Sequence, residues 1–309
     1  MTAIATTRRA PVRRTALRRA APYLLLAPGL LWLIVFYVLP AVQMFTYSIS
    51  TGSLETGYEM TFSPDAYVAG ITRFGRQFLN SILYGGAATL LTFLIGFPVA
   101  YTIAFRGGRY KPFILFLVIA PFFTSFLIRT ISWKILLGDE GPILAPLKHG
   151  LGIVGGPIPL LGTGAVLPGT FSVLGTAVAQ VAGLTYNFLP FMILPLYVAL
   201  EKIDIRLIEA AGDLYAGRWA VFRRVTFPLA LPGVFAGSLL TFIPAMGDYI
   251  NAELLGNPST RMIGNVIQNR LLIQNDYPVG SALSFILMSA IIVAVAVYAR
   301  LLGTEQLTG

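Results

Sequence analysis

Residues 203–228 read IDIRLIEAAGDLYAGRWAVFRRVTFP, a charged run between two long apolar segments. Asp204 is a predicted N-cap for a helix that reaches Leu214. Gly217 supplies a turn before a second, basic helical run, which Pro228 is expected to end. Because apolar segments of membrane length lie on both sides, we expect this run to lie at a membrane surface.

The first helix of the run is predicted to be amphipathic, with apolar residues collected on one face. These residues are Ile203, Leu207, Ala211 and Leu214. Ala210 and Ala211 are small enough for the backbone of a partner protein to approach closely. Glu209 offers a carboxylate for a cap or a salt bridge. The same pattern also fits a helix that lies on lipid and contacts no partner.

Composition indicates an integral membrane protein. Hydrophobic residues make up 56% of the 309 residues and charged residues 11%, whereas soluble domains carry about 25% charged residues. A segment of about 20 apolar residues crosses a hydrocarbon core. The segments that reach this length are 23–48, 78–105, 112–137, 171–200, 229–250 and 281–302. We therefore expect an all-α membrane domain of six transmembrane helices over residues 21–309. Prolines within the spans are expected to kink or locally open the helices, and the alternative is ordinary membrane-helix proline. These prolines are Pro28, Pro40, Pro98, Pro121, Pro190, Pro195 and Pro244.

Residues 1–20 are rich in arginine and precede the first apolar segment. That segment is longer than the apolar core of a signal peptide, so we expect a basic tail followed by an uncleaved span. Most of the 22 Lys and Arg residues fall on the same side as this tail, which predicts that both termini are cytoplasmic. Anionic lipid on that side accounts for the net charge of +9, and no nucleic-acid partner is expected.

Metal and nucleotide chemistry are not expected of this chain. It has no cysteine, and its single histidine, His149, stands in a loop rich in Gly and Pro without neighbours of ligand type. The phosphate-binding pattern Gly-x-x-x-x-Gly-Lys-Ser/Thr is absent from the sequence. We therefore expect neither an enzyme nor a cofactor or metal held by this chain.

Residues 209–228 resemble the EAA loop of the permeases of ABC importers, a pattern that opens on Glu-Ala-Ala and ends on Ile-x-Leu-Pro. The stretch Glu209-Ala210-Ala211 and Pro228 match it, and Tyr215 stands where the pattern has glycine. Gly217, two residues later, is a candidate for the turn. Further parts of the chain are similar to spermidine/putrescine permeases. They are segments 121–130, 247–249, 254–256, 262–268 and 280–285, together with Trp133.

The resemblance implies a type I ABC importer in the cytoplasmic (inner) membrane of a bacterium. It implies a second homologous permease, two ATPase subunits that bind ATP and Mg²⁺, and an extracytoplasmic polyamine-binding protein. The cytoplasmic segment 201–228 would then couple the permease to the ATPases. The residues expected to carry this coupling are Glu209, Ala210, Ala211, Asp213, Tyr215 and Gly217.

Candidates for the solute path are side chains that would be unfavourable in contact with lipid. An ammonium group binds to carboxylates and to the faces of aromatic rings. The candidates are Asp248, Tyr249, Glu253, Tyr186, Asn187 and Trp133. The alternative for each residue is a structural role, either as an aromatic side chain at the membrane interface or as a residue whose polar groups bond to a neighbouring helix. Arg129 and Lys134 are expected to snorkel or to pair with an acid, because their charge would oppose a cationic solute.

Two alternatives to a polyamine importer stay open at this point. A related ABC permease would carry another small solute, such as ferric iron or a phosphonate. A secondary transporter or channel would need no ATPase at all. Loss of ATPase association on charge reversal of Glu209 would separate the second alternative from the ABC class.

Overall fold

A computed structural model describes residues 25–138, 141–143, 145–146, 172–214 and 217–302. The expected basic tail 1–20, His149 and Tyr215 lie outside the described residues. Within the described residues the chain is mostly helical, with one short hairpin.

The first span is α1, Leu25–Ser48, an apolar helix on the outside of the bundle. The strands β1, Ser50–Ser53, and β2, Gly57–Met60, follow it as an antiparallel hairpin in which Ser50 pairs with Met60. Helix α1 contacts the helix at the end of the chain and little else. Its side chains are consequently left to face lipid.

The second span lies within α2, Asp65–Arg106, a helix of 42 residues. At 1.5 Å per residue it is about 63 Å long, roughly twice the thickness of the hydrocarbon core. The segment before residue 78, expected as part of an outer loop, is therefore helical from Asp65 onward. Asp65 lies in its first turn, where a carboxylate favours the positive end of the helix dipole.

The third expected span, 112–137, is not one continuous helix. It consists of α3, Lys111–Ile119, a 3₁₀ turn at Ala120–Phe123, and α4, Phe126–Leu136, and the two parts meet at 92°. Pro121 cannot donate a backbone hydrogen bond, and Thr124 and Ser125 are extended. Within the described residues, five helices are long and apolar enough to cross a membrane, or six if this bent pair is one span.

The centre of the bundle is α5, Ala177–Glu201, which packs against both α2 and α7, Arg218–Met246. Its core includes Phe97, Met192, Leu196, Leu200 and Ala230. A Cβ at Gly233 would lie 2.5 Å from the Cβ of Ala199, so glycine permits the close approach of α5 and α7. Helix α6, Ile205–Leu214, joins these two helices at one end of the bundle.

Helix α7 differs from its prediction at both ends. Pro228 does not end a helix, because a π-helical turn at Phe222–Thr226 directly precedes Phe227. Pro228 has no backbone N–H to donate. The π-helical turn already interrupts the α-helical hydrogen bonds at this position, so the missing donor does not end the helix. At its other end α7 stops at Met246, four residues before the expected boundary. Asp248 and Tyr249 consequently lie outside the span.

Two short helices follow α7, namely α8, Ile250–Leu255, and α9, Ile263–Gln268. Each has six residues, too few to cross a membrane. A Cβ at Gly264 would lie 2.3 Å from the carbonyl oxygen of Gly247, so α9 begins directly against the break between α7 and α8. The last helix, α10, Tyr277–Leu302, returns along α1 and α2.

Candidate functional site

Helix α8 is held close to α5 and α4, and this contact builds the site. A Cβ at Gly183 of α5 would lie 2.4 Å from Leu255 Cδ1 and 2.7 Å from Asn251 Oδ1. Glycine at this position therefore lets α8 approach. Gln180 Nε2 reinforces the contact by donating to the carbonyl oxygen of Ala252 at 3.3 Å and to Thr260 Oγ1 at 3.1 Å.

Four buried polar side chains form a connected group, which we call the polar junction: Thr130, Asn187, Asp248 and Asn251. Asn187 Nδ2 donates to Thr130 Oγ1 and to Asn251 Oδ1, both at 3.1 Å. Asn251 donates its backbone N–H to Asp248 Oδ1 at 2.7 Å and its Nδ2 to Asp248 Oδ2 at 3.2 Å. The polar junction thus ties α4, α5 and α8 to the end of α7.

Asp248 and Asn187, both predicted as path residues, meet in this junction, with exposed fractions of 9% and 1%. Sequence reasoning missed Thr130 and Asn251. Asn251 carried a usable signal, because an Asp just before a helix commonly accepts the backbone N–H of a residue two or three positions later. Thr130 carried little signal, since a threonine in an apolar segment usually bonds its own helix, as it also does here through Phe126.

Asp248 lies between α7 and α8, outside the membrane-spanning helices. Burial raises the pKa of its carboxyl to about 6, while hydrogen bonds from Asn251 oppose the rise. Among the described residues no cation forms a salt bridge with it. A buried carboxylate without a counter-ion is a place where an incoming cation gains electrostatic stabilisation.

The other predicted path residues lie on or next to the helices that carry the polar junction. Trp133 and Tyr186 form an aromatic pair, with ring centroids 5.5 Å apart, and Tyr186 directly precedes Asn187. Tyr249, just before α8, and Glu253, within it, are exposed. Asn265 Nδ2 donates to the carbonyl oxygen of Tyr249 and to Glu253 Oε2, both at 3.1 Å, which connects them to α9. The structure therefore brings all six candidates to α8 and its neighbours.

Arg129 differs from its prediction, because most of its side chain is covered and no acid among the described residues forms a salt bridge with it. It is 7% exposed, and its Nε and Nη1 have no hydrogen-bond partner. Its guanidinium carbon lies 5.3 Å from the ring centroid of Phe122 and 5.6 Å from that of Phe126. The aromatic rings at the bend between α3 and α4 supply the cation–π contacts that hold it inside the protein. Lys134 is exposed, as expected of a snorkelling side chain.

At the other end of the bundle, the predicted N-cap of α6 is confirmed. Asp204 Oδ1 accepts the backbone N–H of Arg206 at 3.0 Å. Lys111 Nζ forms a salt bridge with Glu201 Oε1 at 2.8 Å, which ties the start of α3 to the last residue of α5. The segment that leads into α6 is therefore fixed to the bundle.

The expected apolar face of α6 is only partly correct. Ala211 is buried, with 6% exposed, but Leu207 is exposed and Leu214 is 81% exposed. The reason is that only the first turns of α7 pack against α6, so a narrow strip of the helix is covered. Ala211 therefore serves the contact of α6 with its own chain.

The remaining coupling candidates face outward. Glu209, Ala210 and Asp213 are exposed on α6, and Gly217 is exposed just before α7. Gly217 has φ −137° and ψ 135°, an extended conformation that other residues also adopt. Trp219, 70% exposed, adds an apolar side chain to the same end of the molecule.

A bundle of membrane-length helices with a buried polar junction, and an exposed amphipathic helix between two spans, defines a membrane transport subunit. The chain belongs to the family of inner membrane components of binding-protein-dependent transport systems, whose profile matches residues 92–303. This confirms the family resemblance and the all-α permease fold expected from the sequence.

Sequence relatives support this assignment, and a solved structure supports the fold. The chain is 38% identical to the spermidine/putrescine transport system permease protein PotB of Haemophilus influenzae over 270 residues, 87% of this chain and 90% of that protein. The PotB protein of Escherichia coli K12 is 34% identical, over 87% of this chain and 93% of its own length. A bacterial ABC transporter that imports alginate shares the fold with a TM-score of 0.73 at 16% identity, covering 95% of this chain and 98% of that one.

Proposed function

We propose that this chain is the permease subunit of an ATP-driven importer that moves polyamines such as spermidine and putrescine across the cytoplasmic membrane. Similarity to the two PotB proteins supports this substrate class. Within the chain, the observation that carries the proposal is Asp248, a buried carboxylate without a salt-bridge partner among the described residues. An ammonium group of the solute would supply the missing charge.

The path would lie at the interface of this permease and a homologous second one. A groove of about 860 Å³ between α5 and α7 supports this arrangement, because it is lined mainly by apolar side chains and reaches Ile203 and Leu207 beside α6. A neighbouring helical subunit would cover those side chains. The solute would pass from an extracytoplasmic binding protein through the polar junction and leave on the cytoplasmic side, where both termini would lie.

Energy would come from two ATPase subunits, which bind ATP and Mg²⁺. Helix α6 supports this role because it presents a carboxylate, a small residue and exposed apolar side chains in one short helix. A partner that grips α6 would pull on α5 and α7, to which α6 is directly joined. Closure of the ATPases on ATP would then shift the spans between outward-open and inward-open states.

The proposal is tested with the assembled complex, reconstituted in vesicles with labelled spermidine and putrescine outside. We expect ATP-dependent uptake of both and competition between them. Uptake of ferric iron or a phosphonate in their place would favour the related-permease alternative. Uptake that persists without the ATPases would favour a secondary transporter.

Charge reversal of the coupling helix separates the ABC mechanism from the alternatives. We expect Glu209→Lys to abolish co-purification of the ATPases and uptake, because the exposed carboxylate is replaced by a cation at the contact. Membrane insertion should be unchanged. Glu55→Lys, at the exposed tip of the hairpin at the other end of the bundle, is the matched control and should keep the ATPases bound.

A further inference from the structure

A cavity beside α6 has no role in the proposed function. Its volume is about 420 Å³, and it lies between the end of α2, helix α6 and the first turns of α7. Two cations line it, Arg106 of α2 and Arg218 of α7, and no acidic side chain among the described residues does. The cavity is therefore positively charged.

The two arginines of this cavity lack counter-ions. Among the described residues, neither guanidinium forms a salt bridge or a hydrogen bond. Both side chains are exposed, so their donors are accessible to a ligand. A guanidinium presents its N–H groups as a planar fork that matches the oxygens of a phosphate group. Two such groups from different helices, lining one cavity, favour the binding of an anion.

Thr226 provides an independent observation. It lines the same cavity with 2% of its surface exposed, and its hydroxyl has no hydrogen-bond partner among the described residues. A threonine within a helix usually bonds a carbonyl oxygen one turn earlier. Thr226 ends the π-helical turn at Phe222–Thr226, where the α-helical pattern is interrupted. A buried hydroxyl that its own helix leaves unpaired is available to donate to an oxygen of a bound anion.

The position of the cavity favours a phosphate group that belongs to a lipid. Arg106 is the last residue of one membrane-length helix, and Arg218 is the first residue of another. Basic side chains at the ends of spans meet the charged headgroups of the bilayer. Trp219, which is 70% exposed and stacks on Phe222 of the cavity wall, is of a residue type enriched at the same depth. A phospholipid can therefore bring its phosphate to the cavity without leaving the bilayer.

We propose that this cavity binds the phosphate group of an anionic phospholipid, held by Arg106, Arg218 and Thr226. The bound phosphate joins the end of α2 to the start of α7, beside α6 in the same cavity wall. Binding does not depend on the proposed function, but its consequence for transport rests on it. Since α6 is there the contact for the ATPases, the lipid steadies the helix on which they act and increases ATP-dependent uptake.

Binding is measured on the complete transporter in detergent, with labelled phosphatidylglycerol, labelled phosphatidylcholine and inorganic phosphate as separate probes. We expect phosphatidylglycerol to bind in preference to phosphatidylcholine, whose headgroup cation opposes the arginines. The variant that combines Arg106→Gln with Arg218→Gln should bind phosphatidylglycerol roughly tenfold or more weakly, given the contribution of each basic side chain near a membrane surface. Thr226→Val, which keeps the shape and both charges, should weaken binding less.

The matched control combines Arg109→Gln with Arg300→Gln. It removes the same charge from two exposed arginines that do not line the cavity, so it should keep an affinity close to that of the wild type. Undiminished binding by the Arg106 and Arg218 variant, or an equal loss in the control, would overturn the inference. If that variant does not assemble, Arg106→Gln alone replaces it, and undiminished binding would again contradict the inference.

The inorganic probe distinguishes the two sources of a phosphate group. Binding of inorganic phosphate in place of phosphatidylglycerol would overturn the assignment to lipid and indicate a soluble anion. A wild-type transporter that binds neither, as when an acidic side chain of a partner subunit fills the cavity, would overturn the site as a whole.

The consequence for transport is measured as uptake of labelled putrescine into vesicles of phosphatidylcholine with and without phosphatidylglycerol. We expect phosphatidylglycerol to increase uptake by the wild type and by the control variant, but not by the Arg106 and Arg218 variant. Equal stimulation of all three would contradict the role of the site in transport. A wild-type transporter that moves no putrescine in either vesicle would refute the proposed function and leave the binding result intact.

Discussion

Among the described residues, Asp248 and Arg129 are the charged side chains that the protein buries. Asp248 was predictable, because a carboxylate at the end of an apolar segment next to a tyrosine stands out in a sequence. The burial of Arg129 was not, because an arginine near the end of a span usually reaches water. The burial of Arg129 depends on the rings of Phe122 and Phe126, and the bend between α3 and α4 brings these rings to the guanidinium.

Removal of the charge at Asp248 should impair transport. Asp248→Asn keeps the shape of the side chain and one acceptor for Asn251 but removes the attraction for an ammonium group. A hydrogen bond or ion pair to a charged group is worth about 1.5–3 kcal/mol, so we expect uptake of spermidine by the reconstituted complex to fall by roughly tenfold or more. Glu55→Gln, which neutralises an exposed carboxylate on the hairpin, is the control and should leave uptake close to wild type.

The same carboxyl predicts a dependence of uptake on pH. With its pKa raised to about 6, Asp248 is ionised above that pH and neutral below it. Attraction for the solute is thus present at neutral pH and is lost as the pH falls through about 6. Wild-type uptake should decline over that range, measured with labelled putrescine at fixed ATP. A transporter carrying Asp248→Asn that showed the same decline would assign it to another group.

At the scale of the elements, glycines decide which helices meet. Gly183 lets α8 lie against α5, and this contact positions Asn251 for both Asn187 and Asp248. Sequence patterns identified the long apolar helices, because their length and composition are set locally. They did not identify the short helices α8 and α9, whose placement depends on close approaches between distant segments.

Gly183→Ala should loosen this contact. The added Cβ would lie 2.4 Å from Leu255 Cδ1 and 2.7 Å from Asn251 Oδ1, so one of them must move. Overpacking of this kind typically costs about 1–3 kcal/mol, and we expect a lower thermal unfolding temperature in detergent. Gly86→Ala is the matched control, since a Cβ there meets no atom within 4 Å and alanine favours a helix. Equal unfolding temperatures for the two variants would argue against close packing of α8 on α5.

Prolines show that the sequence around a single residue does not determine where a helix breaks or ends. Pro121 was expected to kink or open its span, and a break does occur there, but its 92° angle depends on the extended residues Thr124 and Ser125. Pro228 was expected to end a helix, and the π turn before it lets the helix continue. Pro98, Pro190 and Pro195, named in the same prediction, lie inside continuous helices. The prolines alone therefore did not show which span would be broken.

At the scale of the whole molecule, α5 and α7 connect the two candidate functional regions, the polar junction and α6. Helix α5 carries Asn187 of the polar junction, ends at Glu201, and leads directly into α6. Helix α7 begins against α6 and ends at Met246, two residues before Asp248. Under the proposed function, a movement of α6 would be transmitted along α5 and α7 to the junction. Under the proposed function, α6 is the point at which ATPase subunits act on the permease.

Site-specific cross-linking within the assembled transporter tests that claim most directly, and the absence of native cysteine makes each introduced thiol unique in this chain. Ala210→Cys and Ala211→Cys differ by one position on α6, but Ala210 is exposed whereas Ala211 is buried against its own chain. We predict that a thiol-reactive cross-linker joins position 210 to the ATPase and leaves position 211 unreacted. A complex that imports solute while neither position reacts with the ATPase would contradict the coupling role of α6.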